Sequence, residues 1–502
     1  MKKEIEELKK RLHEISHLGS ISALAAWDQE VNMPPKGTDA RAVSISYLSA
    51  TLHNKFIAID SNRLLTKLNK ALLSGKIKGS DAVIISETWR TYNREKKLPE
   101  KFVKELSETC SKAQSVWAKA RKDNDFKLFL PWLRKIVNLK KQEAEYIGYK
   151  ESPYDALLDA FEPGMTAREV GEIFEGFKIF LIPFLKSIRE SKIKIDSKKV
   201  KGSFPLDSQR TFNEYMAKSI GFDFSAGEMN VSTHPFASGF HPYDVRLTTR
   251  YREDDMLYAL GSTIHETGHG LYEQGLPTEH FGTPLCESVS LGIHESQSRM
   301  WENIIGKSLS FWKHFYPKLQ KQFPVPFKKI PLGDFHKIIN RVSPSLIRTE
   351  ADEVTYNLHV ILRFEIEKGM LEGNVKLENL PKIWKEKMKE YLDIDVPNNT
   401  LGVLQDVHWS TGGIGYFPTY SLGNLYSAQF YAQMKKDIPN LDLKISKGRF
   451  DDILVWLRKN IHSRGKTYKA NDLAKKVTGE YLTARHWNDY IKKKYGEIYA
   501  LS

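Results

Sequence analysis

The stretch from Gly261 to Tyr272 places side chains that can bind a metal ion one helical turn apart. It reads Gly-Ser-Thr-Ile-His-Glu-Thr-Gly-His-Gly-Leu-Tyr, with histidines at 265 and 269 and a glutamate at 266. Residues i and i+4 lie on one face of a helix, so His265 and His269 can bind the same ion while Glu266 lies beside them. This pattern is typical of zinc peptidases, although it also occurs by chance where both histidines are core residues. It makes Glu266 the candidate general base.

The residues around this motif predict that it lies on a helix. Two aspartates, Asp254 and Asp255, suit the N-terminal end, where the helix dipole favours negative charge. Gly275 followed by Pro277 predicts the end of the helix. Apolar and small residues recur at helical spacing at Leu257, Leu260, Ile264, Gly268 and Leu271.

Two histidines leave a catalytic zinc site incomplete, because such sites usually have three protein ligands and one open position. One known solution is an extended motif with a glycine and a histidine three and six residues after the second histidine. Tyr272 and Gly275 occupy these positions, so that class of peptidase is excluded.

A glutamate on a following helix is the other common solution for the third ligand. The predicted helix 284–306 offers Glu295 at the edge of its apolar face, beside the small residues Gly292 and Ser296. Small neighbours leave room for another helix to approach, which favours Glu295. Three alternatives stay open at this point: Glu287, His280 and His294.

The composition predicts a soluble globular protein. The chain has 502 residues, of which 41% are hydrophobic and 27% are charged. The N-terminus is a charged amphipathic segment without the apolar core of a signal peptide, and no run of 18 uncharged apolar residues is present. We therefore expect a cytoplasmic protein with no membrane partner. The two cysteines, Cys110 and Cys286, stand at no metal-binding or redox spacing and argue against a disulfide framework.

The net charge of +14 raises the alternative of an anionic partner such as nucleic acid. No aromatic residues alternate with the clustered lysines, and no nucleic-acid motif is visible. We therefore expect a solvated surface and no nucleic-acid partner. The lysines of this cluster are Lys192, Lys194, Lys198, Lys199 and Lys201.

The hydrophobic periodicity predicts a mainly α-helical fold with one small antiparallel β-sheet. Residues 1 to about 220 follow the helical period almost throughout, with a loop predicted at Trp27–Gly37, where two adjacent prolines interrupt it. Between 228 and 251 the period changes to the alternation of strands, which predicts the sheet before the metal helix. The other predicted helices are 1–16, 100–120, 128–147, 167–190, 284–306, 334–343, 349–370, 383–388, 449–460 and 470–495.

Six motifs follow one another in a fixed order along the chain. They are His234-Pro-Phe236, Asp244-Val-Arg246-Leu-Thr248, the pentapeptide His265–His269, His294-Glu-Ser-Gln297, Ile347-Arg-Thr-Glu-Ala-Asp352 and Gly402-Val-Leu-Gln-Asp-Val-His-Trp409. Together with the early Ala26-Trp-Asp-Gln29 and Met33-Pro34, they resemble the carboxypeptidase Taq type of metallocarboxypeptidases, peptidase family M32. The resemblance implies a hydrolase that removes single residues from the free C-terminus of peptides. It also implies Glu295 as the third metal ligand.

The same resemblance implies an architecture. We expect one domain over residues 1–502, with a helical part at about 1–220, a metal-site part at about 221–425 and C-terminal helices at about 426–502. The family's fold is of the zincin type, related to neurolysin-like and angiotensin-converting-enzyme-like peptidases, with a deep substrate groove. A homodimer is also expected. No internal repeat is visible in the sequence.

Recognition of a free carboxylate requires a group matched to it, and a bidentate guanidinium is the best match. Arg348 resembles the family's carboxylate anchor, with Arg246 as the second choice. Without the resemblance, a structural ion pair with Glu350 or Asp352 would be the simpler explanation of Arg348.

The oxyanion that develops during peptide hydrolysis needs hydrogen-bond donors. His408 is the leading candidate, oriented by Asp406 or Gln405, and the family motif places this segment at the groove. Tyr420 is predicted as a second donor, with Tyr416 as its alternative. Three further predictions are His234 and Asp244 as groove-lining residues and His359 as an ordinary core histidine.

The expected cofactor is one Zn²⁺ per chain, although Co²⁺ or Mn²⁺ suits the same ligands. The main alternative function is an endo-acting oligopeptidase or a dipeptidyl carboxypeptidase, which would use the same zinc chemistry. A non-catalytic metal scaffold is disfavoured, because a structural zinc site has four closed ligands and needs no base such as Glu266.

Overall fold

The computed structural model describes residues 1–200 and 202–501 and shows a mainly helical protein. Lys201, one of the clustered lysines, lies outside the described residues. The helices before the sheet are α1 (Lys2–Val31), α2 (Thr38–Ile57), α3 (Leu64–Leu73), α4 (Gly79–Glu95), α5 (Glu100–Lys122), α6 (Phe126–Ile147), α7 (Pro153–Leu158), α8 (Ala167–Glu190) and α9 (Leu206–Ser219).

Three strands follow: β1 (Gly227–Val231), β2 (Ala237–His241) and β3 (Asp244–Thr249). The helices after them are α10 (Met256–Glu273), α11 (Leu291–Arg299), α12 (Leu309–Gln322), α13 (Pro324–Phe327), α14 (Leu332–Ile339), α15 (Tyr356–Glu372), α16 (Leu380–Leu392), α17 (Pro418–Asp437), α18 (Leu441–Ser446), α19 (Asp451–Asn460), α20 (Ala470–Thr478) and α21 (Arg485–Tyr499). A π-helical turn, Met300–Ile305, extends α11 directly.

The small sheet has the order β1-β3-β2 and is mixed, so the prediction of an antiparallel sheet was wrong in part. β2 pairs with β3 in the antiparallel sense, but β1 pairs with β3 in parallel. The segment between β1 and β2 crosses the end of β3, where Ser232 Oγ and the Phe236 amide both bind Thr248 Oγ1. The alternation of apolar and polar residues predicts that a segment is a strand, but it does not show which strand it pairs with or in which direction.

Local hydrogen bonds explain why several predicted helix bounds were wrong. The predicted loop at Trp27–Gly37 is mostly helix, because α1 continues to Val31 and ends just before the two prolines. The helix predicted from 284 begins at Leu291, because Ser290 caps it by accepting the Ile293 amide. The helix predicted from 349 begins at Tyr356, after Asp352 has accepted the amides of Val354 and Thr355.

The helix predicted at 470–495 is two helices. It breaks after Thr478 because Gly479 adopts φ +88°, a left-handed conformation that ends α20. The metal helix was predicted correctly: Asp255 caps α10 by accepting the Tyr258 amide, and α10 ends at Glu273.

Two groups of buried apolar side chains form the core. The larger one runs from Ala113 to Tyr499 and includes the sheet and the helices around α10. A smaller one joins α1, α3 and α4 and includes Leu285. α2 has no buried residue, and its Val43 and Tyr47 are more than 70% exposed. The single-domain organisation stays a prediction.

Candidate metal centre

Helix α10 presents the metal-binding motif on its buried side. His265 and His269 lie on one face, and the third residue near them is Glu295 of α11. Glu295 Oε2 lies 3.5 Å from His269 Nε2 and 3.8 Å from His265 Nε2. Three ligands at about 2 Å from one ion in tetrahedral geometry lie about 3.3 Å apart. All three donor atoms lie within 4.8 Å of one another, so the structure brings together the three residues predicted from the sequence in an arrangement that could hold a divalent cation.

Glycines allow α11 to approach its neighbours closely enough to place Glu295. A Cβ on Gly268 of α10 would lie 2.6 Å from Ser298 Cα, and a Cβ on Gly423 of α17 would lie 2.6 Å from Glu295 Cβ. Neither distance is possible for real atoms, so both contacts require glycine. The alternative ligand Glu287 lies elsewhere, in an ion pair with Lys466.

Each histidine of the pair has its second ring nitrogen engaged. His265 Nδ1 lies 2.8 Å from Glu302 Oε2, and His269 Nδ1 lies 2.6 Å from His294 Nδ1. His294 in turn lies 2.7 Å from Glu273 Oε1. Such contacts fix the orientation of a ligand imidazole and leave Nε2 for a metal ion. His294, one of the open alternatives for the third ligand, therefore lies behind a ligand.

Arg299 joins the carboxylates behind the ligands. It donates from Nε to Glu295 Oε1 at 2.6 Å and from a terminal nitrogen to Glu302 Oε2 at 3.1 Å. Its guanidinium also lies 4.4 Å from the ring centre of Tyr356. Against the effect of burial, Arg299 holds the pKa of Glu295 well below its usual range and lowers the pKa of Glu302 to about 2. Both carboxylates are therefore charged.

The groups on α10 respond to burial in different ways. Burial raises the pKa of Glu266 to about 7, an effect that the neighbouring Glu295 strengthens. Burial also lowers the pKa of His269 to about 3, so its imidazole is neutral and can act as a ligand. A buried carboxyl group with a pKa near 7 can both accept and return a proton at neutral pH, which suits a general base.

Arg348 is buried in a charged cluster that α15 and the segment before α17 build. Its Nε donates to Asp406 Oδ1 at 3.0 Å, and a terminal nitrogen donates to the Tyr356 hydroxyl at 3.0 Å. The fully buried Arg363 binds the other oxygen of Asp406 at 2.7 Å. Arg348 thus pairs with neither Glu350 nor Asp352, the partners considered from the sequence. Two guanidinium groups share one carboxylate, which leaves one positive charge in excess.

His408 and Tyr420 lie beside this charged cluster. His408 Nε2 lies 3.2 Å from the Tyr420 hydroxyl, and the Arg348 guanidinium lies 4.8 Å from the Tyr420 ring centre. Asp406 binds arginines, so it does not orient His408 as expected. Burial, then the charge of Arg348, lowers the pKa of His408 to about 4. Its imidazole is therefore neutral.

Tyr416 packs against Tyr420 and His408. Its ring centre is 5.3 Å from that of Tyr420 and 5.5 Å from that of His408. Burial, and then the charge of Glu295, raises the pKa of Tyr416 above its ordinary value. Tyr416 thus joins Tyr420 and His408 in one aromatic group.

The other predicted substrate-binding residues belong to the sheet. Arg246 of β3 donates to Asp244 at 2.9 Å and its guanidinium lies 4.4 Å from the ring centre of the buried Trp27. These contacts tie β3 to α1. His234 is exposed in the segment between β1 and β2, where its carbonyl accepts a hydrogen bond from Ser232. His359 is fully buried in α15, as expected of a core histidine.

Sequence reasoning missed several residues of the site. Arg299 follows Glu295 by four positions and precedes Glu302 by three, a spacing that joins side chains on a helix. The same spacing is common on helix surfaces, so it was a weak signal. Glu273 and Arg363 gave no such signal, because their partners come from other segments of the chain.

The mainly helical fold, with the His-Glu-x-x-His helix and a carboxylate from the next helix, defines a metallopeptidase site. A sequence model of the carboxypeptidase Taq (M32) metallopeptidases matches residues 7–495. The chain belongs to this family, as its motifs predicted.

Several carboxypeptidases are similar to this protein over nearly its whole length. Carboxypeptidase 1 of Bacillus subtilis (strain 168) is 40% identical over 499 residues, which cover 99% of each chain. Thermostable carboxypeptidase 1 of Thermus thermophilus is 40% identical, with 97% of each chain covered. The crystal structure of the M32 carboxypeptidase from Deinococcus radiodurans R1 superposes with a TM-score of 0.95 at 34% identity, covering 99% of this chain and 100% of that one. Among the described residues, no helix is both long and apolar enough to cross a membrane.

Proposed function

We propose that this protein is a metal-dependent carboxypeptidase that removes single residues from the free C-terminus of peptides. The observation that carries the proposal is the placement of the His265, His269 and Glu295 triad beside a buried general-base candidate, Glu266, in a chain of the M32 family. The carboxypeptidase names of the relatives support the same activity. His265, His269 and Glu295 would hold the ion.

The chemistry that the metal supplies is Lewis acidity toward the scissile carbonyl and toward a water molecule. Glu266 accepts the proton of the attacking water and returns it to the leaving amine. His408 and Tyr420, or Tyr416 in its place, donate hydrogen bonds to the developing oxyanion. The contact between His408 and Tyr420 supports their action as one unit.

Arg348 binds the substrate carboxylate in this proposal. The excess positive charge of the Arg348, Arg363 and Asp406 cluster supports it, because a second carboxylate would balance that charge. Arg246 is the second choice. Its stacking on Trp27 and its ion pair with Asp244 support a structural role, in which it holds α1 against the sheet. We keep His234 and Asp244 as proposed groove-lining residues.

The finer properties follow the family resemblance. We propose zinc as the metal, at one ion per chain, with cobalt or manganese able to replace it. We also propose one neurolysin-like zincin domain with a deep substrate groove, a cytoplasmic homodimer, and no nucleic-acid partner. The absence of a membrane-spanning helix among the described residues is compatible with this assignment.

A timed digestion tests the activity. The purified protein is incubated with a peptide that carries a blocked N-terminus and a free C-terminus, with and without a chelator, and its metal content is measured by elemental analysis. We expect single residues to leave stepwise from the C-terminus, and we expect the chelator to stop their release. Release of dipeptides or internal fragments would instead support the oligopeptidase or dipeptidyl carboxypeptidase alternative.

A further inference from the structure

The helix that carries Glu295 does not end as an ordinary α-helix. After Arg299 it continues as the π-helical turn Met300–Ile305, which closes with a hydrogen bond from the Gly306 amide to the Trp301 carbonyl at 2.7 Å. A π turn contains one more residue than an α-helical turn and is rare, and it often occurs at functional sites. This π turn directly follows the helix that carries the proposed metal ligand Glu295.

The π turn contains Glu302, the carboxylate that lies 2.8 Å from His265 Nδ1. One residue corresponds to about 100° of rotation around a helix axis. Because the π turn holds one extra residue, an α-helical turn here would point the Glu302 side chain in a different direction. The wider turn therefore sets the direction of Glu302 toward α10. Glu302 also accepts from Arg299, which binds Glu295, so the contacts of one carboxylate reach two of the three ligands.

Gly306 is the residue that permits this turn. A Cβ on Gly306 would lie 2.6 Å from the Trp301 carbonyl oxygen and 2.8 Å from the Glu302 carbonyl oxygen, both too short for real atoms. The Gly306 carbonyl is held in turn by the Trp312 indole N–H at 2.7 Å. Substitution of Gly306 would therefore force the turn to change at the two residues that fix the direction of Glu302.

We propose that the π turn holds Glu302 against His265, and that Gly306 is a positioning residue of the metal centre that acts through Glu302. The inference rests on the proposed metal-binding function. It assigns Gly306 and Trp312 a role that neither the motifs nor the ligand triad indicates. Their effect reaches the metal ion through a hydrogen bond to a ligand, without contact with the substrate.

Metal affinity in a double-mutant cycle tests the proposal. The Zn²⁺ dissociation constant is measured by chelator competition for the wild type, Glu302→Gln, Gly306→Ala and the double variant. Loss of an outer contact of a metal ligand typically weakens binding about 10- to 100-fold, and we expect this loss in each single variant. The double variant should bind within about twofold of the weaker single variant, because both changes remove one contact.

Matched controls separate positioning from folding. Gly333→Ala adds a Cβ to α14 where nothing lies within 4 Å, and it should leave metal affinity unchanged. Thermal unfolding of the apo proteins reports any general loss of stability, and the visible absorption of Co²⁺-loaded samples reports the ligand arrangement. If Gly306→Ala does not fold, Trp312→Phe serves instead, because it removes the indole N–H and should also weaken metal binding.

The outcomes distinguish this inference from the proposed function. A wild-type protein that binds no divalent metal would overturn both. A wild-type protein that binds metal, with Glu302→Gln binding it equally well, would overturn the inference alone. Losses that multiply in the double variant would also overturn it, because Gly306 would then act independently of Glu302.

Discussion

Each of the three proposed metal ligands is held by a charged or polar partner of its own. Glu302 binds His265, His294 binds His269, and Arg299 binds Glu295. These side chains are therefore oriented before an ion binds, which reduces the loss of side-chain conformational entropy on metal binding. Among the described residues, none forms a hydrogen bond or an ion pair with the side chain of Glu266, which lies in the same buried environment.

Glu266→Gln should abolish peptide hydrolysis while the protein keeps its metal. The amide has nearly the shape of the carboxylate but cannot accept the proton of the attacking water, and a general base typically contributes about 10²–10⁴ in rate. Steady-state kinetics and elemental analysis of the same sample measure the two effects. Glu279→Gln, which changes an exposed glutamate beyond the end of α10, is the control. A fully active, metal-replete Glu266→Gln protein would refute the role of Glu266.

Arg348→Lys should raise KM for peptides with a free C-terminus by about 10- to 100-fold. Lysine keeps the charge but cannot form the planar paired contact of a guanidinium, and a hydrogen bond to a charged group contributes about 1.5–3 kcal/mol. Peptides with an amidated C-terminus should show no such change in KM. Arg189→Lys, at the more exposed ion pair with Asp393, is the matched control. Equal effects on both kinds of peptide would contradict the assignment.

At this scale the sequence predicted the residues whose relation is local. His265, Glu266 and His269 were identified by their spacing within one helical turn. From the residues alone, Glu295 could only be favoured over Glu287, because the way α11 approaches α10 decides which of them comes near the histidines. The family resemblance then implied Glu295. The partners Glu302 and Arg299 could not be selected, since ion pairs at helical spacing are common and spacing does not show which of them lie behind a metal ligand.

Two close helix contacts set the position of Glu295. Gly268 brings α10 against α11, and Gly423 brings α17 against α11 from another side. The α11–α17 contact is the most extensive one between elements of this fold. Helices whose backbones lie this close transmit small displacements directly to the side chains between them.

Gly423→Ala should weaken metal binding and destabilise the protein. Its Cβ would lie 2.6 Å from both Cβ and Cγ of Glu295, so α17 or the ligand must move. Overpacking of this kind costs about 1–3 kcal/mol. Denaturant unfolding and chelator competition measure the two losses. Gly176→Ala in α8 is the control: its Cβ meets nothing within 4 Å, and we expect it to stabilise the protein by up to about 1 kcal/mol. Unchanged metal affinity in Gly423→Ala would contradict the prediction, because it would show that metal binding tolerates the displacement of Glu295 or α17.

A buried carboxyl group holds the start of α11. Glu162 is fully buried, and its Oε2 accepts a hydrogen bond from the Gly292 amide at 3.0 Å. Burial raises the pKa of Glu162 to about 7, from an ordinary value of 4.5. The folded protein therefore binds this proton more tightly than the unfolded chain does. The stability that results is complete below pH 4.5 and is lost as the pH rises through 7.

Glu162→Gln should make the stability of the protein less dependent on pH. Between pH 5 and pH 8 the free energy of unfolding of the wild type should fall by about 2–3 kcal/mol more than that of the variant, since a pKa difference of one unit corresponds to about 1.4 kcal/mol. Denaturant unfolding at the two pH values measures the difference. Glu172→Gln, at an exposed position of α8, should follow the wild type. A variant that loses as much stability as the wild type would contradict the prediction.

The element boundaries show what helical periodicity leaves undetermined. α10 was predicted correctly because its cap, Asp255, and its terminating residues are visible in the sequence. α20 ends at Gly479 because this residue adopts a left-handed backbone conformation, and an isolated glycine in a sequence does not predict that conformation. The π turn at Met300–Ile305 keeps the apolar spacing of a helix, and its hydrogen-bond pattern is visible only in the structure.

At the scale of the molecule, the predicted class was confirmed, and the prediction of an antiparallel sheet was wrong in part. A mainly helical chain with one small sheet follows from the change of period alone. The parallel pairing of β1 with β3 depends on the crossing segment at Ser232–Phe236, a long-range feature. Family membership was predicted from dispersed motifs, whose order along the chain is far more specific than one pentapeptide.

The lack of buried side chains in α2 has a consequence for how the protein opens. Detachment of this helix would expose little additional apolar surface, so the hydrophobic effect resists it weakly. The amide hydrogens of α2 should therefore exchange with solvent through local opening, at a free energy well below that of global unfolding. The amides of α10 and α11, which lie between packed helices, should exchange only when the whole core unfolds. We therefore expect the proposed metal ligands to lie among the slowest-exchanging residues and α2 to be a fast-exchanging segment.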